Sequence, residues 1–309
     1  MDKFYRMGLD IGSTTIKVVI LDGEEIIYKD YRRHHSDVSG LLNELFEEVN
    51  EKFPGIYVDV VITGSGGLSV LKEIVKLLPW EKYVYFADNA FCPYGEKSPE
   101  FIRQRSMEIT DFLLGKGAGI IVVACNTATA AAISALREKY PVKFIGMEPA
   151  IKPAALSSET GVVGVLATAG TLKGSKYLTT KGLYEDNVKI VERVGKGFVE
   201  LVERGILDGP EAEATVRESL QPLLDAGSDR IVLGCTHYPF LAGVIGKLAG
   251  PGVKVIDPAP HVARHLYEVM EEEGLIRKNR RRKPVVELYA SGDDTSARRM
   301  LEMVLDEGK

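Results

Sequence analysis

Two cysteines in this 309-residue chain sit in matching surroundings, and they are its strongest chemical signal. Ile120-Ile121-Val122-Val123-Ala124-Cys125-Asn126-Thr127 and Arg230-Ile231-Val232-Leu233-Gly234-Cys235-Thr236-His237 both run from an apolar stretch through a small residue to a cysteine and then polar groups. The pattern predicts a strand, a thiol at its carboxyl end and a helix opening behind it. A sulfur in that position faces the free N–H groups and positive dipole end of the helix, which draws a thiol pKa down from about 8.5 toward neutrality. Asn126, Thr127 and Thr236 can cap those helices and offer donors to a bound carboxylate. His237 can tune or relay a proton, and Pro239 suits a first helical turn.

A lone cysteine at a strand end is more often core than chemistry, because cysteine is among the most buried residue types. Two in matched contexts argue for chemistry. Two facing thiols without a partner triad fit proton transfer at carbon. One thiolate takes a proton from one face of a stereocentre while the other thiol gives one to the opposite face. A covalent cysteine hydrolase needs one thiol with a dedicated histidine and a third, orienting group, and His237 is awkwardly close to Cys235 for that.

The elements that must carry these residues follow from periodicity. Strands are expected over 4–11, 15–21 and 24–31, with Asp22-Gly23 as a hairpin turn. A helix over 38–53 follows, capped by Ser36 or Asp37 and apolar at Leu41, Leu42, Leu45 and Val49. An apolar strand over 57–63 then ends in Gly64-Ser65-Gly66-Gly67. Beyond it, helices over 68–78, 99–114 and 127–140 alternate with strands over 83–87, 119–124, 142–146, 161–167, 189–194, 230–233 and 253–256. This predicts an α/β chain of two similar doubly wound parallel-sheet domains, preceded by a β-meander plus helix, with ligands at the carboxyl ends of the strands. The meander, marginal alone, is expected to add to the sheet beside the strand at 57–63.

Composition narrows the function classes. Hydrophobic residues at 45% and charged residues at 27% match an ordinary globular protein. A net charge of -5 with no basic stripe excludes a nucleic-acid partner, and the basic run 277–283 reads as a solvated linker. No apolar stretch approaches the roughly 20 residues that span a bilayer, so no membrane partner is expected. The N-terminus lacks a signal peptide's apolar core, and a cytoplasmic location with reduced thiols is expected. Three widely spaced cysteines and five scattered histidines form neither a disulfide framework nor a zinc pattern, so no metal is expected.

Further motifs join the two thiols: Asp88-Asn89-Ala90, Pro93-Tyr94-Gly95-Glu96-Lys97-Ser98, Gly146-Met147-Glu148-Pro149-Ala150, Ala167-Thr168-Ala169-Gly170-Thr171 and Gly234-Cys235-Thr236-His237-Tyr238-Pro239. With Phe198 to Gly205, Asp257-Pro258 and Ser291-Gly292-Asp293, they resemble in order the signatures of glutamate racemases, of the Asp/Glu racemase family. The resemblance implies a cofactor-independent isomerase that makes D-glutamate for bacterial peptidoglycan, with glutamate as its partner molecule and a homodimer allowed. It implies that Cys125 and Cys235 are the acid/base pair, that His237 and Glu203 assist Cys235, and that Tyr94, Gly95, Asn126, Thr127 and Thr236 hold the substrate's polar groups. It also implies one domain from 57–150 plus 258–309 and another from 151–257. Relatives acting on aspartate or hydantoins are less well matched by the Cys-Asn-Thr-Ala and Cys-Thr-His-Tyr-Pro contexts. Cys92, before Pro93, reads as incidental.

The family's first strand ends in an Asp and a Ser beside the first cysteine; here a gapless alignment puts Ile62 and Thr63 at those places. Thr63 can supply the hydroxyl, whereas Ile62 can neither orient Cys125 nor bind an ammonium, so activity below the family's norm is expected. Residues 1–67 instead resemble the N-terminal part of the activators of 2-hydroxyacyl-CoA dehydratases, in the acetate kinase/Hsp70/actin superfamily. There Gly12, Ser13 and Thr14 would approach phosphate and Asp10 would face a metal. The second half of that ATPase core is missing, so a complete ATP site is not expected; the join, at 64–70, looks like a fusion. Two rival readings follow. A nucleotide-binding regulator would bind Mg-ATP through Asp10, and a racemase-like scaffold would bind an acidic amino acid without turnover.

Overall fold

The structure, a computed structural model, describes residues 5–11, 15–22, 25–33, 41, 59–63, 66–276 and 284–306. It has two compact units, Met1–Val58 and Asp59–Lys309. In the first, β1 (Tyr5–Ile11), β2 (Thr15–Asp22) and β3 (Glu25–Arg33) form an antiparallel meander. The two-residue period of a strand brings Ile16, Val18 and Ile20 to one face, and all three are buried. The helix expected over 38–53 lies outside the described residues.

The second unit alternates strand and helix. Its first part contains β4 (Asp59–Thr63), α1 (Leu68–Leu77), β5 (Lys82–Ala87), α2 (Pro99–Leu114), β6 (Ala118–Val123), α3 (Asn126–Lys139) and β7 (Lys143–Gly146). There follow α4 (Ile151–Ser157), β8 (Val162–Ala167), α5 (Ala169–Leu172), α6 (Ser175–Gly182), β9 (Lys189–Val194), α7 (Phe198–Arg204) and α8 (Pro210–Asp225). Last come β10 (Arg230–Gly234), α9 (Ala242–Ala249), β11 (Lys254–Ile256), α10 (Ala259–Glu272), β12 (Val285–Ala290) and α11 (Thr295–Asp306).

These strands build two parallel sheets, in the orders β12-β5-β4-β6-β7 and β11-β10-β8-β9. Parallel strands covered on both faces must be apolar throughout, which is why Ile120 to Val123 and Ile231 to Leu233 are unbroken hydrophobic runs. Both edges of β4 are taken, by β5 and β6, and this corrects the expectation that the meander pairs beside it.

The sequence pattern marks no strand at β12. Its edge position leaves it half-exposed and lets it carry Glu287, which pairs with Lys82 at 3.0 Å, so its apolar run is interrupted. One buried cluster holds Tyr85 and Val122 of the first sheet together with Leu166 and Leu233 of the second. Phe198 and Tyr238, edge to face at 4.9 Å between ring centres, belong to it as well. This shared core fixes the ends of β6 and β10, where the two thiols follow.

Candidate active site

Cys125 stands two residues past β6 as the N-cap of α3, with extended backbone and its Sγ accepting the Ala128 N–H at 3.4 Å. The expected lowering of this thiol's pKa is not what the site produces. Burial pushes it up to about 11, against the pull of the Ala128 N–H, and the nearby Cys235 adds to the rise. The dipole argument fails because desolvation of the sulfur costs the thiolate more than the Ala128 and Thr127 amides return.

Cys235 directly follows β10 and is buried. The helix expected behind it is a 3-10 turn, Tyr238–Leu241, with Pro239 inside it, leading into α9. Its electrostatic partner is therefore a side chain. Cys235 Sγ lies 3.8 Å from His237 Nδ1, and His237 Nε2 lies 2.7 Å from Glu203 Oε1 on α7. Ser296 of α11 donates to Glu203 Oε2 at 3.3 Å and to its carbonyl at 3.1 Å. Burial works against a charge on His237, but its bonds to Cys235, Cys92 and Glu203 outweigh that and hold its pKa well above the ordinary histidine value. The ring lies against Gly66: a Cβ there would come within 2.5 Å of Nδ1, so only glycine fits.

Both thiols line one cleft, with a volume of about 30 Å³. Tyr94, Gly95, Asn126, Thr127, Thr236 and His237 line it too, and Glu203 reaches it through His237. Asn126 is buried, and neither its amide nitrogen nor its amide oxygen has a hydrogen-bond partner. An unmet amide is costly inside a protein, and here both ends are available to a ligand in the cleft. Thr63 closes β4 opposite Val123, two residues before Cys125. Its side chain and those of Ile62 and Asp10, together with Gly12, Ser13 and Thr14, lie outside what the structure describes.

Several site residues escaped the sequence reading. Thr168, the N-cap of α5, lines the cleft and shares hydroxyl contacts with Thr127 at 2.9 Å and Thr171 at 2.9 Å. The Ala-Thr-Ala-Gly-Thr motif was its only signal. The Tyr94 hydroxyl donates to buried Asp88, which Arg105 of α2 grips with Nε at 3.0 Å and Nη2 at 2.7 Å. Burial and then Asp88 push the Tyr94 pKa far up, so it remains a neutral phenol. Cys92 is not incidental to the site: it lines the cleft beside His237.

Residues 60–266 match the Asp/Glu/Hydantoin racemase family. The chain belongs to that family. It is thus an isomerase of the amino-acid racemase type. A glutamate racemase from Methylococcus capsulatus is 48% identical over 248 residues, covering 80% of this chain and 91% of the relative. Among solved structures, glutamate racemase from Bacillus anthracis superposes with a TM-score of 0.73 at 31% identity, covering 81% of this chain and 94% of that one. The enzyme from Francisella tularensis, in complex with D-glutamate, gives 0.70 at 28% identity, with coverages of 81% and 94%. The family match begins at residue 60 and lends the ATPase-like resemblance of the first 67 residues no support. Among the described residues no helix is long and apolar enough to cross a membrane.

Proposed function

We propose that this chain interconverts L- and D-glutamate by moving a proton between opposite faces of Cα, with Cys125 and Cys235 as the two acid/base groups. The observation that carries the reading is the pair of thiols brought from equivalent strand ends, β6 and β10, to one cleft. In one direction Cys235, as a thiolate beside the His237 imidazolium, removes the Cα proton. The Cys125 thiol, kept protonated by burial, delivers one to the other face. The Cα–H electron pair enters the α-carboxylate as enolate character and returns to form the new Cα–H bond. The opposite direction exchanges the roles, and the thiols' protons equilibrate with water between turnovers.

Donors at the start of α3 face the negative charge that develops on the carboxylate, where fixed dipoles stabilise a transition state most. Asn126 and Thr127 supply them, joined by Thr168 at the start of α5 and Thr236 behind β10, while Tyr94, held by Asp88 and Arg105, lines the cleft as well. A space of about 30 Å³ admits a water and not an amino acid, so substrate enters only when the walls part. Two lobes, 57–150 with 258–309 and 151–257, would move for that. Pairing of β12 with β5 supports such a division. Cytoplasmic supply of D-glutamate to the cell wall is the role consistent with this chemistry.

The test follows L-glutamate and D-glutamate separately by circular dichroism. Optical activity should decay to zero from both enantiomers and stay constant with Cys125→Ala or Cys235→Ala. A flat signal from the unsubstituted, folded chain would leave a scaffold that binds without turnover, as expected if Ile62 is not tolerated.

A further inference from the structure

In the wall of the substrate cleft lies a donor cluster that the racemisation does not use as a unit. Cys92 sits in the turn between β5 and α2, Glu203 on α7, and His237 after β10. One sulfur, one carboxylate oxygen and one ring nitrogen from these three lie within 4.8 Å of one another. Ligands of a tetrahedral zinc ion with bonds of about 2.0–2.3 Å stand roughly 3.3–3.8 Å apart, so the three converge to within about 1 Å of that spacing. Thiolate, imidazole and carboxylate together suit zinc and its neighbours, whereas magnesium and calcium require oxygen ligands.

A second observation gives the cluster its own approach. Cys92 and Glu203 also line a separate cavity of about 390 Å³, whose walls include the carboxylates of Glu200 and Asp293. A cation is drawn to such a wall and reaches the cluster without passing through the much smaller substrate space.

We propose that Cys92, Glu203 and His237 form a binding site for zinc-class divalent cations whose occupation shuts off the racemase cleft. Its inhibitory sense rests on the racemase reading; the site itself does not. Cys92 binds as thiolate, its proton passing to solvent. The metal takes the His237 nitrogen that now meets Glu203, so the ring is no longer the Glu203-supported imidazolium that serves Cys235.

The experiment has two arms, both on the full chain. With only three cysteines in the sequence, Cys125→Ala/Cys235→Ala leaves Cys92 as the sole thiol, with the paired serine substitutions as a second background should the alanines fail to fold. Cobalt(II) added to that variant should give a thiolate-to-metal charge-transfer band that disappears on adding Cys92→Ala. Zinc should inhibit racemisation by the unsubstituted chain reversibly with EDTA, and Cys92→Ala should raise the zinc needed by at least about tenfold. Absence of the cobalt band, or equal zinc sensitivity with and without Cys92, would overturn the site and leave zinc acting on the catalytic thiols. Should the chain not racemise glutamate, the cobalt arm decides the site alone.

Discussion

Cys125 and Cys235 start from the same local pattern and end in opposite electrostatic settings. Desolvation raises the pKa of Cys125 against the pull of two amides, while Cys235 has a histidine held cationic against it. Glu203 completes that second setting, so Glu203→Gln should lower kcat by about ten- to a hundredfold. It should also shift the pH profile in a determined direction. The His237 charge is lost as pH rises through its folded pKa, and removing a group that raises this pKa moves the loss, and the alkaline limb of the rate, to lower pH. A profile that keeps its alkaline limb in place would assign Glu203 a purely structural role. The two thiols were legible because each lies inside one short stretch of sequence. Thr168, the Asp88–Arg105 clamp and the placement of Cys92 beside His237 were not, because they join residues from different elements that only the fold brings together.

At the scale of elements, the strands that precede the thiols and the helices expected over 68–78, 99–114 and 127–140 lie within one residue of their expected bounds, with α2 and β9 matching at both ends, whereas the later helices α8, α10 and α11 carry no expected range. Two failures have physical causes. An edge strand tolerates a charged residue such as Glu287, which masks β12, and Pro239 turns the chain into a 3-10 turn where a helix was expected behind Cys235. The start of α1 shows how closely an element can constrain the site. Ser69 donates to the Thr236 carbonyl at 2.9 Å, while Gly66 leaves room for the His237 ring. Gly66→Ala should displace that ring and lower kcat/KM by about a hundredfold, since a shift of about 1 Å in a catalytic group has that effect. The denaturation midpoint should move far less than the activity. Unchanged activity would mean that the ring has room the geometry does not show.

For the whole molecule, alternating strand and helix signals forecast the two parallel sheets, because their strands are apolar on both faces and separated by long amphipathic segments. The narrowness of the cleft could not be forecast, since its 30 Å³ depends on how the walls around both thiols come together. The central claim concerns those two walls: one thiol acts from each face of Cα. It is tested most directly by running the reaction in D₂O from one enantiomer and stopping after a small fraction of turnover. The account predicts deuterium at Cα of the newly formed enantiomer and protium retained in the unreacted one, because the thiol that removes a proton is not the one that delivers its replacement. Deuterium entering both enantiomers at the same rate would mean that a single base serves both faces, and would contradict the account.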